Sequence, residues 1–216
     1  MNEKSVASID LDGFVFPRIP IQLEAFKPWS YNTPLTPKYT PIYRADRLVI
    51  NRSLTRREQK EVNRHSHRMV KPEIARIIKQ MATDIKIGNT GRPNIKPMVD
   101  LTMQRLEEGG IDDFKYVLFK PEGMSSDESK YWGLWELGEL GFTDIMHFDD
   151  NARTSKRLAQ SLPHIRFVII QDLTTDILFS RQEMELYPNV ARIGINRRGK
   201  IEVVHISQNF GQLPVI

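Results

Sequence analysis

The chain has 216 residues, enough for one sizeable α/β core together with a small accessory module. Hydrophobic residues make up 40% and charged residues 27% of it, and the absence of cysteine excludes disulfides, thiolate nucleophiles and cysteine zinc sites. The formal net charge is +4, but residues 38–79 contain 12 lysines and arginines against 4 acidic residues, so this segment carries +8 and the rest of the chain −4.

The hydropathy pattern argues against export and against membrane insertion. The first residues reach an acid before any apolar stretch of signal-peptide length develops. No apolar run approaches the roughly 20 residues that a membrane helix needs. We therefore expect a soluble, cytoplasmic protein that does not contact a membrane.

The first elements in chain order are a short strand over residues 6–9 and a segment of different composition over residues 17–70. Prolines interrupt the first half of that segment, and the Thr55-x-x-Glu58 pattern of a capping box predicts a polar helix in its second half. We interpret residues 17–70 as a basic, proline-rich, cap-like insert. Residues 1–16 and 71–216 then form the α/β core.

After the insert, helical and strand patterns alternate. A proline at a first helical position predicts a helix from Pro72, and a second capping box, Ser125-x-x-Glu128, predicts another. The remaining helices are predicted over 97–108 and 153–162, and the strands over 85–87, 116–119, 144–148 and 165–170. This order predicts a three-layer, Rossmann-like α/β domain with a mainly parallel sheet.

The C-terminal part departs from this alternation. Residues 191–195 and 200–206 flank Asn196-Arg197-Arg198-Gly199, a segment typical of a turn. This pattern predicts an antiparallel β-hairpin at the edge of the sheet.

Polar side chains follow four successive strands of the predicted sheet. The carboxyl ends of parallel strands meet at one rim, where open α/β sheets bind their ligands. The sequence therefore predicts a cluster at that rim. Its candidate members are Asp10 and Asp12 after the first strand, Asn89, Thr90, Gly91 and Arg92 after the second, Lys130 behind the third, and Asp149 and Asp150 after the fourth.

These residue types suit phosphoryl transfer. Several carboxylates in one place repel one another unless a hard cation neutralises them, and an oxygen-only ligand set favours Mg²⁺. A threonine hydroxyl and backbone amides can hold phosphate oxygens, and a lysine can offset their charge. One carboxylate can attack phosphorus, and a second can transfer protons.

The set resembles the motifs of the haloacid dehalogenase superfamily of phosphohydrolases. The resemblance covers about residues 6–12 and 72–172 and leaves out the basic insert and the tail. The four stretches that carry it are Asp10-Leu11-Asp12-Gly13, Ile87-Gly88-Asn89-Thr90-Gly91-Arg92, Lys130, and His147-Phe148-Asp149-Asp150-Asn151.

The resemblance implies a magnesium-dependent phosphomonoester hydrolase that forms an aspartyl-phosphate. It gives Asp10 as nucleophile and metal ligand, and Asp12 as acid/base whose backbone carbonyl also meets the metal. Thr90 would hold phosphate and Lys130 would steady the nucleophile. Asp149 and Asp150 would complete the magnesium site, while Asn89, Gly91 and Arg92 would contact substrate.

Several residues in or near these motifs allow more than one interpretation. Lys115 and Lys120 are rivals of Lys130, and Phe14, where the superfamily usually has threonine or valine, either turns into the core or marks a site that has drifted. His147 is interpreted as packed rather than catalytic. His65 and His67 are not expected to share a metal ion, because residues two apart lie on different helix faces.

The basic 38–79 segment predicts an anionic partner, either nucleic acid or an acidic protein surface. For an enzyme, this favours a large anionic substrate such as a nucleic-acid end phosphate, with a small sugar or nucleotide phosphate as the other possibility. The competing function is a catalytically silent fold of the same kind that serves as a binding or assembly subunit of a nucleoprotein complex.

Overall fold

The computed structural model describes residues 4–16, 49–170, 185–196, 200–208 and 210–213. Residues 17–48 of the predicted insert lie outside the described residues. The elements in chain order are β1 (Ser5–Ile9), α1 (Arg56–Ser66), α2 (Pro72–Gln80), β2 (Ile85–Pro93), α3 (Lys96–Glu108), β3 (Phe114–Lys120), α4 (Ser126–Glu139), β4 (Asp144–Asp149), α5 (Ala152–Ser161), β5 (Arg166–Ile170), β6 (Val190–Ile195) and β7 (Ile201–Ile206).

The strands form one seven-stranded sheet in the order β3-β2-β1-β4-β5-β6-β7. All neighbouring strands are parallel except β6 and β7, which pair antiparallel at one edge. The predicted α/β class, the mainly parallel sheet and the C-terminal hairpin are therefore confirmed. The hairpin belongs to this chain's own sheet, because β6 pairs with β5.

Helices cover both faces of the sheet and give the domain three layers. Ile77 and Ile78 of α2 and Leu106 of α3 belong to one buried cluster, and Leu134 of α4 and Leu158 of α5 belong to the other. Successive residues of a strand point to opposite faces, so a strand inside such a sheet must be apolar on both sides. The buried residues of β1, β4 and β5 are mostly apolar, and the exceptions Ser8, His147 and Asp149 are hydrogen-bonded.

Local sequence signals start the helices where they were predicted. The Thr55 and Ser125 side chains each accept a hydrogen bond from the backbone N–H three residues later, and Glu58 and Glu128 return the contact, which completes both capping boxes. Pro72 occupies the first turn of α2, where its missing N–H has no helical partner to lose.

Strand β2 is longer than predicted, and the prediction of a strand ending at residue 87 was wrong. The chain stays extended through Gly88, Asn89, Thr90 and Gly91 to Pro93, and pairs with β3 across two register shifts. The glycines and the proline suggested a loop, but Asn89 and Thr90 are fully buried and the strand continues past them. The motif residues therefore belong to the strand itself.

The described part of the predicted insert packs against the core. Ile50 forms a bridge with Ile95, and the guanidinium of Arg105 in α3 donates a hydrogen bond of 2.6 Å to the Ser66 carbonyl at the end of α1. These contacts hold α1 beside the carboxyl ends of the strands. Among the described residues, no helix combines the length and the apolar character required to cross a membrane.

Candidate active site

The candidate residues lie where the strand order reverses. Strands β1 and β4 are neighbours, and the chain leaves them towards opposite sides of the sheet. Asp10 and Asp12 follow β1, Asp149 ends β4, and Asp150 follows it. Parallel sheets bind ligands outside the carboxyl ends of the strands at such a reversal, so the topology places these acids at the expected position.

Three buried carboxylates meet there. Oxygen atoms of Asp10, Asp149 and Asp150 lie within 4.8 Å of one another, and the three residues are at most 5% exposed. Asp10 Oδ1 makes no hydrogen bond of regular geometry with any described residue. Such a set of oxygen ligands can hold a divalent cation.

Lys130 is the lysine that reaches this cluster. Its Nζ lies 2.7 Å from Asp149 Oδ2 and 3.1 Å from Asp10 Oδ1. Of the two rivals, Lys115 is exposed on β3, and Lys120 lines a different cavity. The structure therefore brings Lys130, and neither rival, to Asp10.

The charges of the cluster are unevenly compensated. Burial raises the pKa of Asp10 well above its ordinary value, Lys130 opposes the rise, and the Asp149 and Asp150 carboxylates reinforce it. Burial also acts against the ionised form of Asp149, but Lys130 and His147 outweigh it and lower the pKa of Asp149. The pKa of Lys130 is raised by Asp10 and Asp149 despite burial. Of Asp10 and Asp149, Asp10 is thus the carboxyl whose ionised form is disfavoured, by burial and by its like-charged neighbours.

Gly13 makes room for Asp150. Its φ of +95° is a backbone conformation that favours glycine, and a Cβ built on it would overlap the Asp150 carboxylate. Two features therefore require glycine at this position: the positive φ of the turn after Asp12, and the close approach of the Asp150 carboxylate.

Asp12 lies outside the carboxylate cluster and is held by two arginines. Arg92 donates to both of its oxygens, at 3.0 Å from Nε and 2.7 Å from Nη2, and Arg68 donates at 2.6 Å. Burial alone would raise the pKa of Asp12, but the hydrogen bonds and charge of Arg92, with the charges of His65 and Arg68, lower it to about 2. Asp12 is therefore firmly ionised in this arrangement.

The four candidates of β2 do not share one environment. Gly91 and Arg92 line the cavity at the site, whereas Thr90 and Asn89 are fully buried and are not among its lining residues. Thr90 Oγ1 accepts a hydrogen bond of 3.2 Å from the Arg92 backbone N–H. Asn89 lies against Gly133 of α4, and its side-chain amide has no hydrogen-bond partner among the described residues.

Arg92 is a structural as well as a lining residue. It is 2% exposed, its guanidinium stacks 4.2 Å from the centre of the Phe16 ring, and its Nη1 donates to Thr102 Oγ1 at 2.9 Å. These contacts fix the orientation of the guanidinium group, which donates two hydrogen bonds to the Asp12 carboxylate.

A cavity of about 440 Å³ opens above the cluster. Its wall includes Arg64, His65 and Arg68, which come from α1 and the turn after it. The first turns of α4 and α5 also face it, and helix N-termini favour anions. Sequence reasoning missed Arg68. The spacing of four, three and four residues from Arg57 through Glu61 and Arg64 to Arg68 is the signal that could have found it, because such residues share a helix face.

The two histidines of α1 and its end are in different environments. His65 is buried, with Nδ1 3.6 Å from Asp12 Oδ1, and His67 is exposed. Burial, together with the charges of Arg92 and Arg68, lowers the pKa of His65 to about 4 against the opposing pull of Asp12. Among the described residues, neither ring belongs to a cluster of three or more possible metal ligands.

Behind the carboxylates, His147 and Phe14 belong to the core. Phe14 is 1% exposed and stacks on Phe148 with ring centres 6.3 Å apart, so its side chain turns into the core, which was one of the two interpretations of this residue. His147 is fully buried, as predicted, but it is also hydrogen-bonded, with Nδ1 3.0 Å from Ser8 Oγ and Nε2 3.4 Å from Asp149 Oδ2. Sequence reasoning missed this link to Asp149.

Comparison of the chain with protein-family models, with curated proteins and with solved structures gave no match. The function is therefore argued from the geometry and chemistry of the site.

Proposed function

We propose that the protein is a magnesium-dependent phosphomonoester hydrolase of the haloacid dehalogenase type that acts through a phosphorylated Asp10. The observation that carries the proposal is the meeting of Asp10, Asp149 and Asp150 with Lys130 at the reversal of the strand order. A binding scaffold has no need for three buried carboxylates, which repel one another.

The residues present fit a hard cation. The three carboxylates offer oxygen ligands only, and the pKa of Asp10 is raised by burial and by the charges of Asp149 and Asp150, so a cation bound there would stabilise its ionised form. Asp10, Asp149 and Asp150 would hold Mg²⁺, which would supply Lewis-acid stabilisation of the phosphoryl oxygens. The predicted backbone ligand at Asp12 is part of the same proposal.

In the first half-reaction a carboxylate oxygen of Asp10 attacks phosphorus, the ester P–O bond breaks, and the alkoxide or phenolate leaves with the electron pair of that bond and takes its proton from solvent. Lys130 opposes the protonation of Asp10, a bound Mg²⁺ would do the same, and Lys130 also offsets charge on the phosphoryl group. In the second half-reaction water attacks the phosphorus of the acyl-phosphate, which releases inorganic phosphate and restores the carboxylate.

Asp12 does not suit proton transfer in the arrangement described, because Arg68 and Arg92 hold its carboxylate. With its pKa near 2 it has no proton to give to a leaving alkoxide, and it is a weak base towards water. Donation would require that Arg68 or Arg92 release it. Among small esters that bind equally well, those whose leaving group needs no proton, such as aryl phosphates, should therefore be the most reactive.

The test is phosphate release from a generic aryl phosphate, with Mg²⁺ and then with chelator. We expect Asp10→Asn to lower turnover by at least about 10³-fold, because the nucleophile is lost. The matched control is Asp112→Asn, an exposed aspartate distant in sequence from the site, which should keep turnover unchanged. Equal phosphate release by wild type and Asp10→Asn would contradict the proposal.

A second candidate is the catalytically silent binding subunit. The observation in its favour is Asp12, whose carboxylate is occupied by two arginines and is thus unavailable as an acid. This function predicts no turnover of any phosphomonoester by wild type, and a salt-sensitive complex with nucleic acid that is weakened by neutralising Arg56, Arg57 and Arg64.

A further inference from the structure

A row of charged side chains, mostly basic, leads away from the candidate active site along α1. Arg57, Glu61 and Arg64 follow one another at intervals of four and three residues and therefore share a face of the helix. Arg64 lines the site cavity together with Asp10. The row thus begins at the proposed reaction centre.

A further cavity of about 460 Å³ lies on this helix. The described residues that line it carry four positive charges and one negative charge: Arg56, Arg57, Lys60, Glu61 and Arg64. It shares Glu61 and Arg64 with the site cavity, so the two cavities adjoin. We call this second cavity the α1 groove.

The cations of the α1 groove are uncompensated in the described part of the chain. Arg56, Arg57, Lys60 and Arg64 have no side-chain ion pair or hydrogen bond there. By contrast, Arg52 binds Glu58 at 2.7 Å and Glu122 at 2.8 Å, and Arg68 binds Asp12. Arg52 and Arg68 are thus neutralised by carboxylates of the same chain. The cations of the α1 groove have no such partner among the described residues and are available to bind an anionic ligand.

The length of the row limits what the ligand can be. Arg57 and Arg64 are two helical turns apart, or about 10 Å along the axis. A molecule that places one phosphate at Asp10 and contacts both arginines must carry further negative charges over that distance. A monosaccharide phosphate lacks them, whereas a nucleic-acid strand has a phosphodiester at every step.

The lining of the groove also indicates the mode of recognition. Its described residues include no aromatic side chain on which a base could stack, and arginine and lysine contact phosphates without reading sequence. The groove therefore fits a backbone and not particular bases.

We propose that the substrate is a nucleic-acid strand with a terminal phosphomonoester, whose following phosphodiesters lie in the α1 groove against Arg64 and Arg57. This inference rests on the proposed hydrolase activity of Asp10, and it names the substrate class of that same site.

The experiment compares kcat/KM for an aryl phosphate, a 3′-phosphorylated mononucleotide, a 3′-phosphorylated decanucleotide and a phosphoserine peptide flanked by glutamates. Wild type is run beside Arg57→Gln, Arg64→Gln and the control Arg76→Gln, an exposed arginine of α2 that lies in neither cavity. We expect the decanucleotide to be the best of the four substrates for wild type.

Each groove substitution should lower the ratio of decanucleotide to aryl phosphate turnover by roughly tenfold, which corresponds to about 1.4 kcal/mol. It should also reduce the slope of log kcat/KM against log salt by about 1, because one phosphate contact is lost. Arg76→Gln should leave the ratio and the slope as in wild type.

The outcomes separate the two proposals. If wild type hydrolyses phosphomonoesters but the substitutions do not change the ratio, the groove proposal is wrong and the hydrolase proposal stands. Preference for the acidic phosphopeptide would also overturn the groove proposal. Absence of turnover on every substrate would overturn both.

Discussion

Removal of the Arg92 guanidinium should destabilise the fold through Asp12. Arg92→Met keeps the length and apolar bulk of the side chain but deletes two hydrogen bonds to the Asp12 carboxylate, one to Thr102, and the stacking on Phe16. Breaking one side of a buried ion pair costs about 3–5 kcal/mol. Arg68 remains bound to Asp12, and the Asp12 side chain is 30% exposed, so we expect the lower end, about 3 kcal/mol.

The assay is urea unfolding at neutral pH with circular dichroism as the probe. The expected loss of about 3 kcal/mol is a change in the free energy of unfolding. In thermal unfolding of the same variant it corresponds to a fall in Tm of roughly 6–12 °C for a chain of this size. The control is Arg76→Met, which replaces an exposed arginine and should change the free energy of unfolding by less than about 0.5 kcal/mol.

A double-mutant cycle tests whether the loss runs through the Asp12 contact. Asp12→Asn alone leaves two buried guanidinium groups without their shared counter-charge. Asp12→Asn combined with Arg92→Met should be less destabilising than the sum of the single changes, by at least about 1.5 kcal/mol. A coupling energy below about 0.5 kcal/mol, or an Arg92→Met variant as stable as wild type, would refute the reasoning.

Three further predictions concern the same site. Gly13→Ala should displace Asp150 and therefore lower both the stability of the fold and the Mg²⁺ affinity measured by calorimetric titration. The control is Gly123→Ala, which is also at positive φ but has no neighbour within 4 Å, so it should show the effect of backbone strain alone. Equal effects of the two substitutions would contradict this prediction. Lys130→Met should abolish turnover and should lower Tm in the presence of chelator. Addition of Mg²⁺ should then raise the Tm of this variant by more than that of wild type, because the cation replaces the missing positive charge. An equal rise in Tm for the two proteins would contradict a cation site at these carboxylates. The pKa of His65 lies near 4 in the folded state against an ordinary value of 6.5, so the unfolded chain binds this proton first, and stability should fall as pH drops from about 6.5 to about 4. His65→Gln should lose part of this dependence in urea unfolding at several pH values, and an unchanged dependence would show that other groups cause it.

The elements that sequence reasoning predicted well are those with local causes. The capping boxes at Thr55 and Ser125 and the proline that begins α2 are complete within four residues, so the sequence contains all that is needed to place them. The alternation of helices and strands then implies the parallel sheet, and the sheet implies the rim. The position of Asp10 and Asp149 at the carboxyl ends of the parallel strands could therefore be predicted.

The parts that could not be predicted depend on contacts between distant residues. Arg92 and Arg68 meet Asp12 across 80 and 56 residues, and no local pattern indicates this pairing. Strand β2 continues past its glycines because it pairs with β3, a contact that spacing does not reveal. The same extension buries Asn89 and Thr90, so two predicted phosphate contacts lie away from the cavity wall.

The most direct test of the central claim is the isolation of a phosphorylated Asp10. The enzyme is mixed with an aryl phosphate carrying labelled phosphorus, quenched in acid during turnover, and reduced with borohydride, which converts an aspartyl-phosphate to homoserine. Peptide mass spectrometry then locates the modified residue. We expect homoserine at position 10 with Mg²⁺, and none with chelator or in Asp10→Asn. Turnover without modification at position 10, or modification at another residue, would contradict it.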